Sequence, residues 1–223
     1  MTKLKGFKGF TPATIQFFKD LKENNYKEWF EEHRDIYEKE LLQPFKELAA
    51  TLTPVMHNID PFFEMRPHRI LSRIYRDIRF SKNKEPYKTC MWMSFQSPTK
   101  DWEKIPGFFM ELRADGYFYG MGIFQPKKRE MDAIREDIAY DADEFQKQTQ
   151  KLLDRGFIIG GEEYKRPIPS ELPAYFQPWI QRKGIYVYKE KAISKEVFSE
   201  KFADIIKEDY KSLVWLYNFL KDE

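Results

Sequence analysis

The sequence predicts an α+β fold, a single domain over residues 1–223. N-terminal helices would precede a central, mainly antiparallel sheet with a hairpin, and C-terminal helices would pack on that sheet. Apolar residues recur at helical spacing before about residue 60 and again after Pro126, with short aromatic runs between them. No repeat, low-complexity tract or linker-like segment divides the chain.

The N-terminal section predicts two or three helices. Thr11 and Pro12 form an N-cap followed by proline at the first helical position, and a second helix begins near Tyr26. The apolar face of this second helix comprises Tyr26, Trp29, Phe30, His33, Tyr37 and Leu41. Pro44 either kinks this helix or opens a third, and Pro54 and Pro61 are expected to close the helical section.

The middle of the chain predicts strands. A short aromatic run spans 91–95, and two further runs, 108–113 and 117–124, flank Asp115-Gly116, a strong hairpin signal. Gly120 and Gly122 share one face of the second run, which predicts close approach of another backbone or a ligand. A neighbouring helix packed tightly on the sheet is the expected occupant.

The last third predicts helices again. Met131, Ile134 and Ile138 form one apolar face, and prolines at 167, 169, 173 and 178 mark a surface loop. One more strand is expected over 185–188. A final helix capped by Ser194 would carry a core face of Phe202, Ile206, Tyr210, Leu213, Tyr217 and Leu220.

Composition bounds the class of protein. The lone cysteine, Cys90, has no partner for an intramolecular disulfide, which indicates a reducing compartment, and its apolar setting predicts a buried thiol rather than a nucleophile. The basic N-terminus precedes no apolar run, so no signal peptide is expected. No stretch approaches the ~20 apolar residues of a membrane helix. The expectation is a cytoplasmic protein without a membrane partner.

Charge is distributed unevenly along the chain. Residues 66–88 hold eight arginines and lysines against two acids, a net charge of +6 in a chain whose total is +2. Residues 129–144 hold seven acids against two arginines, a net charge of −5. This polarity argues against a generic nucleic-acid coat and draws attention to the basic stretch.

The local structure of that stretch is ambiguous from the sequence. As a helix, Ile70, Ile74 and Ile78 would line one face; as a strand, Ile74 and Ile78 would share a face with Phe80. Periodicity favours helix before about Tyr75 and strand after it. Composition predicts a turn over 81–86.

The basic stretch is the candidate ligand site. We expect its cations to converge on an anion, because guanidinium groups grip phosphate or carboxylate with paired hydrogen bonds and lysines add point charge. Asp77 would orient an arginine, and Tyr87 would supply an aromatic wall. The candidate ligand-binding residues are Arg73, Arg76, Arg79, Lys82, Lys84, Tyr87 and Lys88. Alternatively, these cations pair with the protein's own acids or stay solvated.

Three function classes remain open at this point. The first is binding of a phosphorylated or carboxylated small molecule through 69–88. The second is nucleic-acid binding, with Tyr75, Tyr87 and Trp92 stacking on bases. The third is a structural or interaction protein that docks on an acidic partner. Oligomeric state and catalysis are both left undecided by the sequence.

If there is catalysis, Asp77, His33 and His68 are the candidate residues. His33 lies on an aromatic helix face and is expected to be packed or hydrogen-bonded. The spacing of Ser81 and Lys84 matches an acyltransferase pair but lacks its partner motifs. The sequence predicts neither a metal site nor a cofactor, since no regular ligand spacing and no glycine-rich phosphate loop is present.

Residues 76–88 resemble the signature of a family catalogued as Domain of Unknown Function 2461, widespread in bacteria and fungi. Three further segments are similar to that family: an N-terminal motif of Trp29-Phe30 with Arg34 and Tyr37, the stretch 120–126 followed by Ile134-Arg135 and Ile138, and a late strand at 182–187. The resemblance covers roughly residues 7 to 220. It implies a single α+β domain and no assigned activity. This chain has Asn83 where the family pattern implies aspartate, so a metal-binding or basic role of that carboxylate would not carry over.

Overall fold

The computed structural model describes residues 6–79, 82–100 and 105–221. The N-terminal part is helical, with a π-helical turn at Tyr37–Leu42. Its helices are α1 Pro12–Glu23, α2 Lys27–Glu32, α3 Arg34–Ile36, α4 Gln43–Ile59 and α5 Pro67–Ile70.

Within the described residues, five strands form one antiparallel sheet, which confirms the α+β class. The strands are β1 Cys90–Phe95, β2 Gly107–Arg113, β3 Gly116–Ile123, β4 Ile158–Gly160 and β5 Ile185–Ala192. Their order in the sheet is β1-β2-β3-β5-β4. The predicted Asp115-Gly116 hairpin is therefore confirmed, whereas β4 had no predicted counterpart.

The remaining helices lie around and after β4 and β5. They are α6 Lys128–Tyr140, α7 Ala142–Asp154, α8 Gln177–Ile180, α9 Lys201–Ser212 and α10 Val214–Lys221. Short 3-10 turns occupy Ala174–Phe176 and Lys195–Phe198. None of the helices within the described ranges is both long and apolar enough to span a bilayer.

The chain divides into two compact units built from separated stretches. The first holds the described residues of Met1–Phe95, Phe109–Phe118 and Glu190–Glu208. The second holds those of Gln96–Phe108, Tyr119–Lys189 and Asp209–Glu223. The single domain over 1–223 stays a prediction.

Helix α1 begins as predicted. The Thr14 amide donates to the Thr11 hydroxyl at 3.3 Å, and Pro12 occupies the first helical position, where its missing N–H costs nothing. The prediction that Pro54 ends the helices is wrong, because α4 continues through it to Ile59. Leu48 and Leu52 on the buried face hold that helix in place, while Pro54 lies on its exposed side.

The C-terminal stripe is a core face, as predicted, but it belongs to two helices instead of one. All six of its residues are buried, and the helix breaks at Leu213. Ser194 precedes a 3-10 turn and donates to the Glu196 carboxylate, so it does not cap the long helix. In the first unit, Phe202 of α9 packs edge-on against Tyr117 of β3.

In the second unit, Tyr210 of α9 packs against Phe108 of β2. The nearby Asp209 carboxylate is buried and accepts hydrogen bonds from Tyr119 at 2.6 Å and from Lys189 at 2.8 Å. Arg155 adds a third, at 3.2 Å. Burial alone would raise the pKa of Asp209, but these donors outweigh it and hold the pKa below the usual value.

The glycines of β3 admit the neighbouring strand. A Cβ atom on Gly120 would overlap the Val187 carbonyl oxygen, and one on Gly122 would overlap the backbone of Ile185 and Tyr186. The close approach was predicted correctly, but its partner is β5 instead of a helix.

Candidate anion-binding site

The basic stretch folds as a hairpin-like pair of extended arms. Helix α5 ends at Ile70, and Leu71 and Tyr75 then form antiparallel bridges to Met93 and Tyr87. Backbone hydrogen bonds of 2.8 Å from Ser72, Arg76 and Lys88 to the opposite arm complete the pairing. We call residues 71–93 the basic hairpin; its tip includes 77–79 and 82–85 of the described residues.

Neither the helix nor the strand predicted for the basic stretch describes its structure fully. The helix is confined to α5, because Ile74 is buried as part of an extended arm. The strand predicted after Tyr75 is also wrong, since Ile78 is in a turn and 46 % exposed. Phe80 and Ser81, which carried parts of the strand and acyltransferase interpretations, lie outside the described residues.

The arms rest on the N-terminal helices. The Tyr87 ring stacks on Phe30 with 4.2 Å between ring centres and an angle of 17°. The Asn25 side chain accepts from the Tyr87 amide and donates to the Tyr87 carbonyl, each at 3.0 Å, as a neighbouring strand would. Arg34 donates to the Tyr75 hydroxyl at 3.2 Å. The base of the hairpin is therefore braced from 40 to 60 residues away in sequence.

Three cations of the basic hairpin are held by carbonyl groups. Arg76 donates through Nε to the Glu85 carbonyl and through a terminal nitrogen to the Tyr87 carbonyl, both at 3.1 Å. Lys84 donates to the Ile78 carbonyl at 2.7 Å. Lys88 donates to the Arg73 carbonyl at 2.9 Å. Carbonyl oxygens are neutral, so these bonds position the cations without cancelling their charge.

Only part of the positive charge is neutralised locally. Asp77 takes a two-pronged pair from Arg79 at 2.9 and 2.8 Å, and the Glu85 carboxylate lies 3.8 Å from Arg76. The side chains of Arg73 and Lys82 are exposed and make no hydrogen bond or ion pair with any described residue. The hairpin thus keeps an excess of positive charge at its surface.

Asn83 closes the tip of the hairpin. Its carbonyl oxygen accepts from the Glu85 amide, and its amide nitrogen donates to the Glu85 carboxylate, both at 2.8 Å. An aspartate at this position could make the first bond but would repel the carboxylate in place of the second. Asn83 therefore draws Glu85 toward the turn.

Among the described residues, no hydrogen bond or ion pair joins the catalytic candidates Asp77, His33 and His68 to one another. The Arg79 side chain lowers the pKa of Asp77 to about 2, which makes that carboxylate a weak base near neutral pH. His33 stacks on Trp29 at 4.1 Å and its Nδ1 lies 2.8 Å from the Trp29 carbonyl oxygen, as expected of a packed histidine. His68 is exposed on α5. Across the described ranges, no three histidine, cysteine or carboxylate side chains are grouped to hold a metal ion.

A second polar group adjoins the hairpin on β1 and β2. Burial raises the pKa of the Cys90 thiol to about 11 and, beside it, raises the pKa of Glu111. Burial lowers the pKa of Lys88, whose ammonium lies 5.9 Å from the centre of the Trp92 ring. The sequence predicted a buried thiol, whereas Cys90 is half-buried, and no sequence signal indicated that Glu111 would lie beside it.

The described geometry defines an α+β protein that presents a braced basic hairpin. Residues 13–219 match the family described as Conserved hypothetical protein (DUF2461), so the chain belongs to that family, in agreement with the resemblance of its motifs. A search of curated proteins finds no match to this chain.

Proposed function

We propose that the basic hairpin binds the phosphate or carboxylate group of a small molecule. The observation that carries this proposal is the anchoring of Arg76, Lys84 and Lys88 on backbone carbonyl oxygens. A cation fixed by a neutral group has lost its conformational freedom but kept its charge. An anion that meets such cations gains Coulomb attraction without having to order them.

The acids within the hairpin do not prevent binding. The Asp77–Arg79 pair lies at the surface, and exposed pairs contribute only ~0–1 kcal/mol. A phosphate can therefore replace Asp77 as the partner of Arg79, since it offers the same two-pronged geometry with more charge. Exposed Arg73 and Lys82 add to the field that attracts the ligand.

The two tyrosines of the basic hairpin differ in exposure: one ring is buried beneath the site and the other is accessible at its surface. Tyr87 is 2 % exposed and stacked on Phe30, so its ring braces the site from within. Tyr75 is 49 % exposed, with its hydroxyl held by Arg34. Of these two rings, Tyr75 is the one that a bound ligand could contact.

A thermal-shift screen tests the proposal. The panel contains nucleotides, sugar phosphates, pyrophosphate and dicarboxylates, each at low ionic strength. A ligand at ~100 times its dissociation constant stabilises the fold by ~2.7 kcal/mol, roughly 5–11 °C for a domain of this size. The shift should be lost with Lys84→Gln, and retained with Lys147→Gln, which removes one exposed charge from α7. No shift with any anion would count against the site.

Nucleic-acid binding by the same hairpin is the second candidate. Trp92 is 37 % exposed beneath the Lys88 ammonium, and Tyr75 is half exposed, so two rings beside cations are available for stacking on bases. Affinity for a short single-stranded oligonucleotide would then fall steeply with salt, because phosphate contacts release counterions. A flat salt titration, or equal affinity in Trp92→Ala, would remove this candidate.

A further inference from the structure

A cavity of about 460 Å³ lies in the second unit at the start of α6. Its floor is apolar and includes Ile123, Ile134 and Leu220, all of them buried. A cavity of this size holds an organic molecule of moderate size, since small-molecule sites span roughly 300–1,000 Å³. The residues that line it take no part in the basic hairpin.

The rim of this cavity is positively charged. Lys127, Arg129 and Lys221 line it together with a single acid, Glu130, which leaves a net charge of +2. The Glu130 carboxylate already accepts a hydrogen bond from the Lys127 amide at 2.6 Å and so caps the helix. The Glu130 carboxylate is thus held by the backbone of the residue that precedes α6.

The other carboxylate nearby on α6 is engaged elsewhere. Asp132 pairs with Lys128 and, at 2.8 Å, with Arg135. The exposed side chains of Lys127 and Arg129 make no hydrogen bond or ion pair with any residue that the structure describes. Two charged donors therefore stand unpaired above an apolar floor.

We infer that this cavity binds a small amphipathic anion. Its carboxylate or phosphate group would lie on Lys127 and Arg129, and its apolar body would cover Ile123, Ile134 and Leu220. Such a ligand suits both halves of the lining, since the cations gain a partner and the hydrocarbon of the ligand leaves water to pack against apolar side chains. A polar sugar phosphate would leave the floor uncovered, and a hydrocarbon would leave the rim unpaired.

Methyl NMR of protein carrying labelled isoleucine methyl groups tests this inference, with octanoate, octyl phosphate, octanol and acetate as probes. Octanoate or octyl phosphate should cause saturable shifts at Ile123 and Ile134 and bind at least about tenfold more tightly than octanol or acetate. In a butyrate, hexanoate and octanoate series, affinity should rise about three- to fourfold per methylene. Whichever of octanoate and octyl phosphate binds more tightly identifies the preferred headgroup as carboxylate or phosphate.

Two variants separate the rim from the floor. Lys127→Gln with Arg129→Gln should weaken the anion at least about fivefold and leave octanol unchanged. Lys19→Gln with Lys147→Gln removes the same charge elsewhere on the surface and should change affinity less than about twofold. Ala133→Leu, which adds three carbons at the lining of the cavity on α6, should abolish binding of both octanoate and octanol.

The inference is overturned by unsaturable shifts at Ile123 and Ile134, by equal affinity for octanol and octanoate, or by unchanged binding in the Lys127/Arg129 double variant. Should Ala133→Leu fail to fold, the charge variants alone decide. Octanoate shifts confined to Ile74 and Ile78 would also overturn it, and would place the anion on the basic hairpin instead. Loss of binding at the hairpin leaves this cavity unaffected, so the two proposals fail separately.

Discussion

The Tyr87 ring lies flat against Phe30, with 4.2 Å between ring centres and 17° between ring planes. This contact joins one arm of the basic hairpin to helix α2. Helix α2 is itself held in place by the apolar side chains of the N-terminal helices. The tip of the hairpin is exposed, but Ile74, Tyr87 and Met93 in its arms are buried. The charged residues of the hairpin are therefore attached to arms that pack on the N-terminal helices.

Phe30→Ala should destabilise the protein by about 3–5 kcal/mol, because it removes a buried ring and leaves a cavity under Tyr87. Urea denaturation measures the loss. Phe62→Ala serves as the control, since that ring is 74 % exposed and its truncation should cost less than about 0.5 kcal/mol. Similar losses for the two variants would mean that Phe30 does not support the hairpin.

Asn25→Ala should cost about 1–3 kcal/mol, because the Tyr87 amide loses its partner in a part-buried setting and the Tyr87 carbonyl is left with the Arg76 guanidinium. Hydrogen exchange at the Tyr87 amide should accelerate by more than the global loss of stability explains. Asn58→Ala changes an exposed asparagine on α4 and should leave that amide unaffected. An unchanged exchange rate in Asn25→Ala would contradict the described bracing.

Asn83→Asp should weaken anion binding without unfolding the protein. The new carboxylate can still accept from the Glu85 amide, but it adds negative charge beside Glu85 and so lowers the attraction for an anion. The weakening should be greatest at low ionic strength and fade as salt screens it. Calorimetric titration with pyrophosphate at two salt concentrations measures this weakening. Equal affinities of the Asn83→Asp variant and the unchanged protein at low salt would contradict a site at the tip.

Asp209 makes stability depend on pH. Its folded pKa lies below the ordinary value of about 3.9, so its contribution is complete above that pH and is lost as the pH falls through the folded pKa. Asp209→Asn should cost about 3–5 kcal/mol near neutral pH, since Lys189 is left without its charge partner. The difference from the unchanged protein should shrink below about pH 4. A difference independent of pH would contradict the assignment.

The Cys90 thiol should react slowly with iodoacetamide at neutral pH. Burial raises its pKa to about 11, so little thiolate is present at about pH 7, and thiolate is the reactive form. The rate should climb as the pH rises toward that value. Glutathione, with an unperturbed thiol, is the reference, and a native rate equal to that of glutathione would show that the thiol is not shielded.

Local signals in the sequence predicted much of the fold. Thr11 and Pro12 start α1, Asp115-Gly116 makes the hairpin, and the stripe from Phe202 to Leu220 is buried, because each depends on residues within a few positions of one another. The prediction that α4 would end at Pro54 was wrong because burial of the neighbouring side chains stabilises the helix by more than the missing N–H of this exposed proline destabilises it. The break at Leu213 could not be predicted, since the same apolar spacing suits one helix or two.

The composition of the candidate site was visible in the sequence, but its form was not. The run from Arg73 to Lys88 marks the charge, yet its extended shape depends on Asn25 and Phe30, about 60 residues away. No sequence pattern could predict that Arg76 and Lys84 donate to backbone carbonyl groups, because every residue carries a carbonyl group. Pairing with acids was the alternative prediction, and among the described residues Asp77 pairs with Arg79 while the Glu85 carboxylate lies 3.8 Å from Arg76.

The most direct test of the anion site is NMR of the arginine side chains during a titration with pyrophosphate at low ionic strength. We expect a saturable shift of the Arg76 Nε–H signal, a second shift at Arg79 as it leaves Asp77, and loss of both shifts in Lys84→Gln. Small, unsaturable shifts spread evenly over all arginines, including the exposed Arg166, would contradict a site on the basic hairpin.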